Sequence, residues 1–240
     1  MDLNRSTTLF DMKYFDDLYD ILANVATDFP TLSYYQGMNY IAIYIFKVFD
    51  NNRDQTYKFL HYIAERFLLS RYTSEFEGLM ESLYVCDKLL QIGQKEIWRQ
   101  MSSAHISSLY FAVPCFITIM TNLLKFSLEA EEFISKLWDM FLVDGVRSQI
   151  RLFLYLIKLQ KTNLLNVEPS QTLLALKNMD SSPLPVMEFE GVQKKDILIF
   201  ITKMEKADIL LMEFDEELYN RIVQNYHAVH KPVSQHWDDD

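Results

Sequence analysis

The chain has 240 residues, of which 50% are hydrophobic and 14% aromatic. That is enough to bury a large core, so it reads as one large globular domain or two tightly packed lobes. A formal charge of -10, with no clustered Lys/Arg surface, excludes a general affinity for phosphate backbones, and nucleic acid is not expected as a partner. Two cysteines, Cys86 and Cys115, each in an apolar neighbourhood and not spaced as CxxC, exclude a disulfide framework and fit core packing in a reducing compartment.

Met1-Asp2-Leu3-Asn4-Arg5 is followed by acidic, aromatic sequence and not by an apolar run, so no signal peptide is read and a cytoplasmic location is expected. From Tyr14 the apolar residues Phe15, Leu18, Ile21, Leu22 and Val25 recur at steps of one, three or four, which predicts an amphipathic helix ending before Pro30. The same period predicts helices over Met38–Phe49, Thr56–Leu69, Leu79–Ile92, Ile106–Leu124, Ala130–Leu142 and Val146–Leu159, with Gly145 as a C-terminal stop. Leu109–Leu124 is uncharged but holds Pro114, Thr118, Thr121 and Asn122. It is shorter than the roughly 18 to 20 apolar residues of a membrane span and reads as a buried core helix. Ser181-Ser182-Pro183-Leu184-Pro185 breaks the pattern; shorter helices over Lys194–Lys203 and Glu216–Tyr226 and a solvated tail at His236–Asp240 follow. No segment alternates with period two, so the fold class is all-α.

Five isolated glycines cannot build GxGxxG, GxxxxGK[ST] or GxSxG, so the chain has no phosphate loop, dinucleotide loop or nucleophile elbow of its own. His227 and His230 stand three apart without a carboxylate or thiolate to complete a metal set, and read as solvated surface histidines; no metal is expected. His61 and His105 lack a partnered nucleophile and read as packing residues.

Three short motifs remain. Asp2-Leu3-Asn4-Arg5 sets a carboxylate three residues before a guanidinium, close enough on one turn for the acid to orient the base. An ordinary surface ion pair has the same spacing. Tyr34-Tyr35-Gln36-Gly37-Met38-Asn39 puts an amide that both donates and accepts beside a glycine, where backbone can approach a ligand closely. Ser33 to Gln36 also fits a capping box, with Ser33 capping the helix and Gln36 reaching back. Leu137-Trp138-Asp139-Met140-Phe141-Leu142-Val143-Asp144-Gly145 reads as a helix end whose Trp138 and Phe141 lie in the core.

In this order, DxxR, YxQGM and WDxFLxDG resemble the TBC domain, the all-helical Rab GTPase-activating family. The likeness covers roughly residues 1–215, a single large helical domain of two packed lobes, with 216–240 a C-terminal helix and acidic tail. It implies an activator with no reaction of its own that supplies catalytic groups to a Rab-type small GTPase. Arg5 would be the arginine finger and Gln36 the glutamine finger, with Asp2 holding Arg5, Gly37 letting the loop approach the nucleotide, and Tyr34 and Met38 packing the loop down. Trp138, Asp139 and Gly145 would be structural. No cofactor of its own is implied, since the partner brings GTP and Mg, and membrane contact would come only through the lipidated GTPase, with recruitment to endomembranes. The resemblance also implies that the start of the family domain is missing, leaving Arg5 near a frayed end. On that reading the alternative is a catalytically impaired module that binds a GTPase or an adaptor. Arg5-Ser6-Thr7-Thr8-Leu9 departs from the family's R-T-F-P, and Cys115 takes a place often filled by tryptophan.

Overall fold

The computed structural model describes residues 2–72, 76–122, 129–159, 161–173, 176 and 216–230, and no strand forms among them. Three helices make a first group. Helix α1 (Phe15–Asp28) buries Leu18, Ile21, Leu22 and Val25, the stripe its periodicity predicts, and carries Asp16 and Asp17 where the positive end of the helix dipole favours them. Helix α2 (Met38–Val48) is buried on nearly every side, from Met38 and Asn39 through Ile41 to Phe46, and so forms the centre of the group. Helix α3 (Arg53–Ile63) begins where the Asn52 side chain accepts the Gln55 N–H at 3.0 Å, and runs into a π-helical turn at Ala64–Leu68. All three pack on one another.

A second group surrounds α4 (Glu77–Gly93). Helix α5 (Lys95–Ser103), which the periodicity does not pick out as a separate element, follows the break at Gln94; then come α6 (Val113–Ile117), α7 (Glu129–Asp144), α8 (Val146–Leu159) and α9 (Lys161–Leu165). The last described helix, α10, spans Glu216–Val229. Helix α4 packs on α5, α8 and α10, while α7 packs on α8 and α5 on α9. Both groups share one apolar core, joined where Trp138 of α7 meets Tyr44 of α2 with ring centroids 5.0 Å apart. No helix among the described residues is long and apolar enough to cross a membrane.

One expectation needs correction here. Ile106–Leu124 is not one helix: a 3-10 turn at Ser108–Tyr110 leads into the short α6, and Ile119 and Met120 then take left-handed φ of 50° and 63°. Pro114 lies in the first turn of α6, where proline's missing N–H is no loss. Four residues on, the Thr118 hydroxyl lies 2.7 Å from the Pro114 carbonyl and 2.8 Å from Asn122 Oδ1, local polar bonds that compete with helix continuation. The C-terminal histidines are exposed, as read from the sequence, and each has a partner. His227 Nε2 lies 2.9 Å from Glu81 Oε2 of α4, Tyr226 meets Tyr84 of α4 with ring centroids 5.3 Å apart, and the His230 ring stacks on Tyr226 at 4.4 Å. Arg147 of α8 adds a 2.6 Å ion pair to Glu216. The loop expected at Ser181–Pro185, the helix at Lys194–Lys203 and the tail at His236–Asp240 lie outside the described residues.

Candidate functional site

Residues Asp2–Arg5 form a 3-10 turn. Leu3 is fully buried, an anchor contributing about 1.5–3 kcal/mol, and Leu9 fixes the chain again six residues later. Arg5 Nε lies 3.5 Å from Asp2 Oδ1 across this turn, as the DxxR spacing predicts. The Arg5 side chain is 70% exposed against 25% for Asp2. An ion pair this exposed contributes little to stability, so its effect is to bias the direction of the guanidinium.

The second motif is built on a backbone that only glycine adopts readily. Gly37 has φ of +110°, caps the N-terminus of α2, and sits so close to α6 that a Cβ there would lie 3.1 Å from Thr118 Cγ2. Met38 and Tyr35 are buried on either side, which leaves Gln36 exposed at the crest of a held loop. The capping-box reading fails here. Ser33 is exposed with φ of 54°, and the helix begins at Met38, so Gln36 is not used in a cap.

Helix α6 gives this loop its footing. The buried Tyr35 hydroxyl donates to the Ile117 carbonyl at 3.0 Å, while the Tyr72 hydroxyl and the Gln149 amide both donate to the Phe116 carbonyl at 2.8 and 3.2 Å. Burial pushes the Tyr35 phenol well above its ordinary ionisation range and that of Tyr72 upward, so both remain hydrogen-bond donors at neutral pH. Side-chain donors from three segments thereby reach the carbonyls at the end of this short helix, where Phe116 also accepts the Ile119 N–H at 3.2 Å.

The first two motifs meet. The Asp2 N–H donates to the Tyr34 hydroxyl at 2.9 Å, and Asn39 Nδ2 donates to the Ser6 hydroxyl at 3.0 Å and to the Asp2 carbonyl at 3.4 Å. Burial also pushes the Tyr34 pKa above the ordinary phenol value, which keeps the hydroxyl neutral. Thus an exposed guanidinium and an exposed carboxamide project from two segments hydrogen-bonded to each other. Such a pair can neutralise developing negative charge and orient a water; it has neither nucleophile nor base for covalent chemistry.

The third motif contributes two aromatic side chains to the core. Trp138 and Phe141 are buried between α2 and the π turn, where Phe141 meets Phe67 at 4.8 Å, and Asp139 is exposed. Gly145, at φ of 61°, ends α7 and donates its N–H to the Phe141 carbonyl at 2.8 Å, while Asp144 pairs with Arg151 of α8. Sequence reasoning missed Ser6, Asn39, Tyr35 and Thr118, which hold the two segments. Asn39 was within reach, since a polar residue among Met38, Ile41 and Ala42 on a buried helix calls for a partner.

Comparison with known proteins agrees with the motifs. The Rab-GTPase-TBC domain family matches residues 1–165. The chain is also 24% identical over 177 residues to the GTPase-activating protein GYP5 of Saccharomyces cerevisiae, an alignment covering 74% of this chain and 19% of that protein. The chain thus spans about a fifth of the length of that curated relative. The family match extends over more than half of the chain, and the chain belongs to the Rab-GTPase-TBC domain family.

Proposed function

We propose that this chain stimulates GTP hydrolysis by a Rab-type small GTPase, with Arg5 and Gln36 entering the partner's active site. The observation that carries the reading is the hydrogen-bonded junction of Asp2–Ser6 with Tyr34–Asn39, from which these two side chains project exposed. Family membership and the activator name of the yeast relative support it.

Phosphoryl transfer requires little covalent help from a protein, but it does require positive charge against the transferring oxygens and a water held in line. Arg5 would supply the charge and Gln36 would orient the water in place of the GTPase's own glutamine. Asp2 would keep the guanidinium turned toward its working position. The partner brings GTP and Mg, so the chain needs no cofactor and has no reaction alone. The protein would act in the cytoplasm and reach endomembranes through the lipidated GTPase.

Single-turnover GTP hydrolysis by a panel of purified Rab GTPases, with and without this chain, tests the reading. Acceleration of at least one member is expected. No acceleration of any member by folded chain would overturn it in favour of a module that only binds a GTPase or an adaptor.

A further inference from the structure

Asn39 is wholly buried in the first turn of α2, three residues after Gln36. Its Nδ2 serves two acceptors on the segment that carries Arg5, the Ser6 hydroxyl and the Asp2 carbonyl, while its Oδ1 is buried without a hydrogen-bond partner among the described residues. A buried amide with an unsatisfied oxygen is a poor choice for packing alone, since an apolar side chain would avoid that cost. Its donor edge gives the reason for an amide at this position. Ser6 is equally buried, and its hydroxyl donates to the Leu3 carbonyl at 3.1 Å, so its lone pairs are turned to receive Asn39. The Leu3 carbonyl, the Ser6 hydroxyl and the Asn39 amide therefore form a chain of bonds running from the Arg5 turn into the helix headed by Gln36.

We infer that Asn39, acting through Ser6 and the Asp2 carbonyl, is a positioning residue that fixes the Arg5 turn against the Gln36 loop and so sets the separation of the two side chains. The inference rests on the activating function proposed above. Asn39 touches neither nucleotide nor water. It acts because two groups carried on separate segments must reach one γ-phosphate together, and a misplacement of about 1 Å in such a constellation costs about 10²-fold in rate. The Asp2 N–H to Tyr34 bond is a second, independent tie between the same segments, so loss of Asn39 loosens the turn without freeing it.

The test uses Asn39→Ala and, as a milder variant that leaves the α2 core intact, Ser6→Ala. Three readouts are taken: hydrogen exchange over residues 2–9 in the free chain; kcat and half-saturating concentration for the responsive GTPase; and affinity for that GTPase loaded with GDP and aluminium fluoride, which mimics the transferring phosphoryl group, against its GTP-bound form. Both variants should exchange faster over residues 2–9. Asn39→Ala should lower kcat about 10²-fold and Ser6→Ala by about tenfold, with half-saturation changed by less than about threefold. The preference for the aluminium fluoride complex should fall in step with kcat. A merely structural role would weaken both complexes alike, and that result would overturn the inference. Unchanged exchange over residues 2–9 in both variants would also overturn it, whatever the hydrolysis rates. Faster exchange in a chain that accelerates no GTPase would support the clamp and overturn the activating function.

Discussion

Arg5 and Gln36 are both exposed, but the two segments beneath them are held by different means. The Tyr34–Asn39 loop is fixed by backbone and packing: a glycine at positive φ, a 3.1 Å limit against Thr118, and buried Tyr35 and Met38. The Asp2–Ser6 turn has one apolar anchor in Leu3 and is otherwise tied by polar bonds to Tyr34 and Asn39. Damage should therefore differ by side. Changes under Gln36 should lower stability and activity together, whereas changes around Arg5 should lower activity and spare the fold.

The largest expected effect sharpens that contrast. Arg5→Ala should reduce stimulated hydrolysis by about 10³ to 10⁵, or about 4 to 7 kcal/mol of barrier, with the melting temperature unchanged. Arg5→Lys should fail as well, because an ammonium cannot reproduce the planar, two-pronged contact of a guanidinium. Activity retained in Arg5→Lys would remove Arg5 from the mechanism.

Gly37→Ala attacks the other side. It forces a Cβ into left-handed backbone and against Thr118, so stability should fall by about 1–3 kcal/mol in denaturant titrations, and hydrolysis should fall with it. Thr118→Ser removes the clashing methyl while keeping the hydroxyl, and in the Gly37→Ala background should recover part of the loss but not the backbone strain.

Tyr35→Phe should cost about 1 kcal/mol by leaving the part-buried Ile117 carbonyl without the Tyr35 donor. It should also alter the alkaline limb of the stability curve. Burial keeps the Tyr35 and Tyr72 phenols protonated in the folded chain past the pH, near 10, at which they ionise when unfolded. Below that pH both states hold the proton and their contribution is constant; above it the unfolded chain releases protons that the folded chain keeps, so stability falls as pH rises. Tyr35→Phe should flatten that fall. The smallest effect belongs to Arg53, which bridges Asp17 and Asp20 at the surface: Arg53→Ala should shift stability by less than about 1 kcal/mol and leave hydrolysis untouched.

Much of this was legible in the sequence because a helix writes its buried face at a period that local reading detects. The stripe Leu18, Ile21, Leu22 and Val25, the stop at Gly145 and the burial of Trp138 all follow from neighbours three or four residues apart. The run Ile106–Leu124 misled because its apolar residues keep a helical spacing throughout, and that spacing does not show where the backbone turns; Thr118 and the positive φ of Ile119 and Met120 decide that. Ser33 misled for a related reason. A capping box needs extended backbone at its serine, and composition does not reveal φ. DxxR and YxQGM identified the two exposed side chains, but their junction depends on partners 32 to 37 residues apart, a separation at which no periodic signal survives.

The central claim is that this chain lends a glutamine as well as an arginine to another protein's active site. The most direct measurement is single-turnover hydrolysis by a responsive GTPase whose own water-orienting glutamine has been replaced by alanine, comparing wild-type chain with Gln36→Ala. The account predicts that wild-type chain still accelerates the altered GTPase and that Gln36→Ala does not. Acceleration that disappears with the GTPase's own glutamine, or that survives in Gln36→Ala, would contradict it.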